Sequence, residues 1–304
     1  MLLASHPAVC SAGELKATKL EPVDRYRCSC GHLIITCPFW LGIRAAMADR
    51  GFDFDIARAE TDLRAGVPPL VRRALRPLHR GPWLEAVRDA ALSSWPGWRR
   101  HLTRNQAVNA ALAACLCERT GADVIIDSSK IGLRLKYLLR NPALSVRVVR
   151  LIRDGRAAVL TYVDPERFAD AREPARRGGG SGGSREHERL TMIAAAREWR
   201  RSNEEAEAIV SSLPAAQSLA VRYEELAADP RSTLERIFGF IGVRGEAAIG
   251  RFKSLEHHVV GNGMRFDSSS EIVLDERWRT TLTAADLGIF DHEAGPLNRR
   301  LGYR

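Results

Sequence analysis

Residues 146–163 read VRVVRLIRDGRAAVLTYV. The first half, through Ile152, has the β-branched apolar character of a buried strand. The second half, from about Ala157, reads as a helix. Arg153, Asp154, Gly155 and Arg156 stand between them. The first N–H groups of such a helix point back toward the turn, and the helix dipole adds partial positive charge there. With an arginine fork beside it, this junction suits an anion with phosphate-like oxygens. Thr161 lies eight residues after Arg153, about two helical turns on, where its hydroxyl could cap the same anion. The competing reading is a structural ion pair between Arg153 and Asp154 or another acid. Arg156 is expected only as an outer ion pair.

The same strand-then-helix theme recurs on both sides. ADVIIDSSK (122–130) is a short apolar run with polar residues at its end, followed by a helical IGLRLKYLLRN (131–141). SLAVRYEEL (218–226) is a third strand candidate, with STLERIFGFIG (232–242) as a later helix. Alternating strands and helices imply an α/β fold with a mainly parallel sheet covered by helices. Ligands of such sheets gather beyond the carboxyl ends of the strands. The clusters Asp127–Lys130, Arg153–Arg156 and Tyr223–Glu225 all fall at such ends.

Residues 40–119 read as several helices, punctuated by Gly51, Gly66, Pro68–Pro69, Gly81–Pro82 and Pro96–Gly97. The first 40 residues read as irregular. Residues 164–188 have almost no apolar content and a Gly/Ser centre, and are expected to form a mobile, lid-like loop. Their glycines have no strand before them and no Lys-Ser/Thr after them, which argues against a phosphate loop. A long amphipathic helix is expected from about His187 to Ser212. The whole chain reads as one domain, with 40–119 as a helical insertion.

The 304 residues are 45% hydrophobic, with a formal net charge of +9. That balance suits an anionic partner. No nucleic-acid-reading motif accompanies it, so nucleic acid is not expected. No apolar run reaches the length of a membrane span, and the amino terminus lacks signal-peptide features; a cytoplasmic protein is expected. Of the six cysteines, Cys115 and Cys117 fall in an apolar helical pattern. Cys28, Cys30 and Cys37 lie in CSCGHLIITCPFW with His32 between them, a set that could hold Zn²⁺. C-x-C-x6-C is not a standard finger spacing, and reduced, partly buried thiols are the alternative; no metal is assigned.

RLIRDGRAAVLTYV resembles the segment that binds the 3′-phosphate in sulfotransferases using 3′-phosphoadenosine 5′-phosphosulfate (PAPS). Further matches follow in the family's order. DVIIDSSK resembles its second strand, beside the substrate. VRYEELAADPRSTLERIFGFIG resembles the segment whose tyrosine lies near the adenine. VVGNGMRF (259–266) resembles the loop that closes over the nucleotide. SHPAVCSAGEL and CPFW resemble the start of the bacterial and carbohydrate-type branch. The resemblance runs from about Ser5 to Arg279. It implies a P-loop-NTPase-like parallel sheet with a helical substrate side, PAPS as cosubstrate, and a small-molecule, carbohydrate or lipid acceptor. It places Arg153, Thr161, Tyr223 and Arg265 around the nucleotide, and Glu14 matches a glutamate that serves as general base in some branches, with a helix-capping or ion-pairing role as the alternative. Lys130, at the mouth of the second strand, could stabilise charge on the transferring group or pair with Asp127.

The family's Gly- and Ser/Thr-rich 5′-phosphosulfate loop and the strand before it have no counterpart ahead of SHP. The expectation is that they lie upstream of Met1. If they do not, the alternative is a non-catalytic or truncated relative that binds the 3′-phosphoadenosine nucleotide. A P-loop kinase would need G-x-x-x-x-G-K-[ST], which does not occur in these residues.

Overall fold

The structure is a computed structural model that describes residues 1–15, 20, 23–58, 60–76, 81–182 and 184–304. The chain forms two compact units, one of residues 3–146 and 256–261, the other of residues 147–255 and 262–304.

In the first unit, strand β1 (Val9–Gly13) runs parallel to β2 (Val124–Asp127), with Val9 opposite Val124 and Ser11 opposite Ile126. β1 corrects the expectation of an irregular start. Its sequence, VCSAG, is mostly small and has weak strand propensity; pairing on both sides makes it a strand. Opposite β2, Val260 donates its N–H to Ala12 at 3.0 Å and accepts from Glu14 at 3.2 Å. Gly13 makes this approach possible. Its φ is +86°, and a Cβ there would lie 2.0 Å from the Val260 carbonyl oxygen.

Helices α1 (Pro38–Asp49), α2 (Pro69–Ala74), α3 (Pro82–Ser94) and α4 (Pro96–Thr120) fill the region expected to be helical. Proline opens α1 and α4, and Gly121 in the left-handed region closes α4. α1 and α4 bury Ile43, Met47, Leu112 and Leu116 in one core. α5 (Gly132–Leu139) follows β2.

In the second unit, β3 (Val148–Ile152) runs parallel to β4 (Ser218–Arg222) in unbroken register, Val148 opposite Ser218 through Ile152 opposite Arg222. Among the described residues each of these strands has the other as its only strand neighbour. α6 (Gly155–Val163) follows β3 directly. The segment 164–188 contains the short helices α7 (Pro165–Phe168) and α8 (Arg177–Gly180). Phe168 anchors it in a core with Ala157, Leu160 and Trp278, and polar contacts organise much of the remainder. Asp170 is buried and accepts from the backbone N–H of Ala171, Gly178 and Gly263 at 2.7–2.9 Å.

α9 (Met192–Val210) begins five residues later than His187, because the Thr191 hydroxyl caps it by accepting from Ala194. α10 (Tyr223–Ala228) and α11 (Pro230–Ile241) follow β4, with Asp229 capping α11. α12 (Trp278–Thr281) and α13 (Ala284–Arg300) complete the chain. Val159, Trp199, Phe290 and Leu297 form the core that joins α6, α9 and α13. Gly155 is the contact point: a Cβ there would meet Phe290 at 2.5 Å and Trp199 at 2.9 Å.

Both units are therefore α/β, each built on a parallel strand pair with helical cover. No helix among the described residues is long and apolar enough to cross a membrane.

Candidate functional site

The first cluster lies at the carboxyl ends of β1 and β2. Glu14 follows Gly13, and Lys130 ends the turn after Asp127. The structure brings these two residues together, with Lys130 Nζ 2.8 Å from Glu14 Oε1. Asp127 builds the turn. Its Oδ1 accepts from the Ser129 N–H and hydroxyl at 2.9 and 2.6 Å, and from the Leu15 N–H at 3.3 Å. Its Oδ2 accepts from Arg134 at 2.8 Å, and Arg134 reaches on to the Thr61 carbonyl and Asn109 Oδ1, each at 2.9 Å. One carboxylate thus fixes both loops that carry the pair. The Lys130 side chain is 75% exposed and that of Glu14 20%, so the lysine is free to move while the acid is held. A small, mainly apolar cleft beside this network is lined by Leu63, Ile131, Leu133 and Tyr137, with Asn109 and Arg134 at its polar side.

The second cluster lies at the carboxyl ends of β3 and β4. The Arg153 guanidinium stacks over the Tyr223 ring at 4.6 Å, a cation–π contact. Arg153 also donates to the Asp275 carboxylate at 2.9 Å and its carbonyl at 3.1 Å. The Tyr223 hydroxyl accepts from the Asp275 N–H at 3.1 Å and donates to the Val273 carbonyl at 3.2 Å. Hydrogen bonds from Arg277, and then from Arg153, hold the Asp275 carboxyl well below the usual carboxylate range against the opposing effect of burial. The buried Nε of Arg153 has no hydrogen-bond partner among the described residues.

The helix end that follows is closed internally. Asp154 caps α6, accepting from the Arg156 N–H at 2.9 Å, and Asn298 Oδ1 accepts from the Gly155 N–H at 2.9 Å. Arg156 pairs with Asp154 at 2.7 Å and lies over the Trp278 ring. The close approach that Gly155 allows is to Phe290 and Trp199. Thr161 donates to the Ala158 carbonyl at 2.7 Å, within its own helix. Arg265 is buried, donating to the Asn262 carbonyl at 2.6 Å and the Gly179 carbonyl at 3.0 Å. The structure thus joins Arg153 to Tyr223, while Thr161 and Arg265 are held by local backbone groups.

Sequence reasoning missed Asp275, Asn298, Asp127 and Arg134 as positioning groups. Asp275 and Asn298 reach the β3 end from more than 120 residues away, with no local pattern to mark them. Asp127 had a signal: an acid at a strand end, two residues before a serine, is the start of an Asx turn.

Residues 102–246 match the family model described as the Sulfotransferase family. That span includes β2, β3 and β4, with Lys130, Arg153, Thr161 and Tyr223. Over this segment, just under half of the chain, the sequence is similar to the sulfotransferase family. Two solved structures resemble the whole chain. One is the sulfotransferase domain of the Synechococcus PCC 7002 olefin synthase, at 15% identity and a TM-score of 0.49, covering 100% of this chain and 88% of that one. The other is the sulfotransferase domain from the curacin biosynthetic pathway, at 16% identity and a TM-score of 0.48, covering 100% and 92%. No curated protein sequence matches.

Proposed function

We propose that this protein transfers a sulfuryl group from PAPS to a hydroxyl or amine on a small-molecule, carbohydrate or lipid acceptor. The observation that carries the reading is Arg153. It lies at the end of a parallel strand inside the family-matched segment, stacks on Tyr223, and keeps a buried guanidinium nitrogen without a partner among the described residues. A buried donor in that condition favours an anionic ligand over apolar contact. Tyr223 offers the aromatic surface for the adenine, and Arg153 the charge for the 3′-phosphate.

Glu14 is the proposed base. It takes the acceptor proton as the acceptor oxygen or nitrogen bonds to sulfur. The bond from sulfur to the bridging oxygen breaks, and 3′-phosphoadenosine 5′-phosphate departs with that electron pair. Lys130 leaves Glu14 for the sulfonate oxygens, whose negative charge it offsets in the transition state. Asp127 and Arg134 are positioning residues that hold the turn carrying Lys130.

The test is transfer of labelled sulfuryl group from PAPS to a panel of alcohols, phenols and amines. The reading predicts a labelled product with at least one acceptor class, and less product with Lys130→Ala. It fails if labelled PAPS is neither bound nor consumed with any of them.

A further inference from the structure

We propose that Cys28, Cys30, Cys37 and His258 form a tetrahedral Zn²⁺ site that joins the amino-terminal loop to the 256–261 segment. The four ligand atoms all lie within 4.8 Å of one another. Cys30 Sγ and Cys37 Sγ are 3.6 Å apart, and His258 Nδ1 lies 3.8 Å from Cys28 Sγ and 3.9 Å from Cys37 Sγ. A Zn–S bond of about 2.3 Å sets the edge of a thiolate tetrahedron at about 3.8 Å. The observed separations are already of that size. A disulfide would instead need the two sulfurs at about 2.05 Å.

Each ligand is presented by a different local device. Cys28 opens, and Cys30 lies within, a tight turn in which Gly31, at φ +91°, donates its N–H to the Cys28 carbonyl and the Cys28 N–H donates to the His32 carbonyl, both at 2.9 Å. Cys37 is the residue before α1 and is fully buried, as is Cys28. His258 comes from 221 residues beyond Cys37. That distance is why sequence spacing suggests His32, which is exposed and lies only 3.6 Å from Cys30 alone among the three sulfurs.

The histidine is oriented for coordination through Nδ1. Its Nε2 lies 3.1 Å from a Glu256 carboxylate oxygen, the outer carboxylate partner common to metal-binding histidines. Its ring stacks on Phe39 at 4.1 Å with an interplanar angle of 7°. The two segments are held in register by other contacts. The Ser29 hydroxyl donates to the His257 carbonyl at 2.6 Å and accepts from the Val259 N–H at 2.8 Å. The Tyr26 hydroxyl donates to the Gly261 carbonyl and accepts from its N–H, both at 2.7 Å.

Three thiolates and one neutral imidazole select a soft, four-coordinate cation and leave no open position, which defines a structural zinc. On binding, three S–H protons pass to solvent as three Zn–S bonds form, and the imidazole contributes its Nδ1 lone pair. The site would fasten the segment whose Val260 pairs with β1 next to Glu14.

The test is metal content of the full chain expressed with zinc and purified without chelator. About one zinc per chain is expected, lost in Cys37→Ser and His258→Ala and retained in His32→Ala. Should the variants fail to fold, wild-type protein exchanged into Co²⁺ must show thiolate-to-cobalt charge transfer and tetrahedral ligand-field bands. Metal-free wild-type protein, a Cys30–Cys37 disulfide by mass spectrometry, or zinc undiminished in Cys37→Ser would overturn the proposal.

Discussion

The two strand pairs use the same plan and finish it differently. After β1 and β2, one acid and one lysine meet in a 2.8 Å pair, and the lysine side chain is 75% exposed. After β3 and β4, the arginine is enclosed by an aromatic ring and a carboxylate, and the adjoining helix end is taken up by Asp154 and Asn298. The first arrangement suits groups that exchange partners during a reaction. The second suits recognition, where a fixed geometry is presented to a ligand. Under the proposed function, Asp275 would be the internal anion that an incoming phosphate must displace or share.

The largest expected effect separates chemistry from recognition. Glu14→Gln should lower kcat by roughly 10²- to 10⁴-fold, the usual range for a general base, with nucleotide affinity unchanged in a binding titration. Equal losses in both quantities would erase the distinction between the clusters.

Next in size is a packing effect confined to the second unit. Gly155→Ala places a methyl group against Phe290 and Trp199. Overpacking of this kind costs about 1–3 kcal/mol, which denaturant unfolding can read.

Asp275→Asn tests the internal anion. Removing its charge should tighten 3′-phosphoadenosine 5′-phosphate several-fold. The same variant has a pH signature. A carboxyl held below its ordinary value contributes stability that is present above the unfolded value, about 3.9, and is lost as pH falls toward the folded one. Wild-type protein should therefore lose more stability than Asp275→Asn between about pH 5 and pH 2.

The smallest effect belongs to the first unit. Burial, and then the charge of Asp89, pushes the Tyr137 phenol up to about 12. An unfolded tyrosine ionises near 10, so this stability is complete below about pH 10 and declines as pH rises toward 12. Tyr137→Phe should flatten the alkaline limb of the stability curve.

Much of this was legible in the sequence. The β3–α6 junction, the β2 and β4 strands and the helices after them announce themselves by short apolar runs that give way to helical spacing. Arg153, Tyr223 and Lys130 stand out as charged or aromatic groups at strand ends, whereas Glu14 is marked only by the family resemblance of its AGEL segment. β1 did not stand out, because VCSAG becomes a strand only through Val124–Asp127 and Val260. Nor did the partners that decide what each charge does. Asp275 and Asn298 arrive from distant helices and loops, and His258 reaches the three cysteines across more than 200 residues. Local pattern marks a functional group; tertiary contact sets its state.

The central claim is that Arg153 reads a 3′-phosphate. The direct measurement is the affinity of 3′-phosphoadenosine 5′-phosphate against adenosine 5′-phosphate, in wild-type protein and in Arg153→Ala. A charge-assisted hydrogen bond is worth about 1.5–3 kcal/mol, so wild-type protein should prefer the 3′-phosphorylated nucleotide by roughly 10- to 100-fold. The preference should vanish in Arg153→Ala. Equal affinity for the two nucleotides in wild-type protein, or a preference that survives Arg153→Ala, would contradict the account.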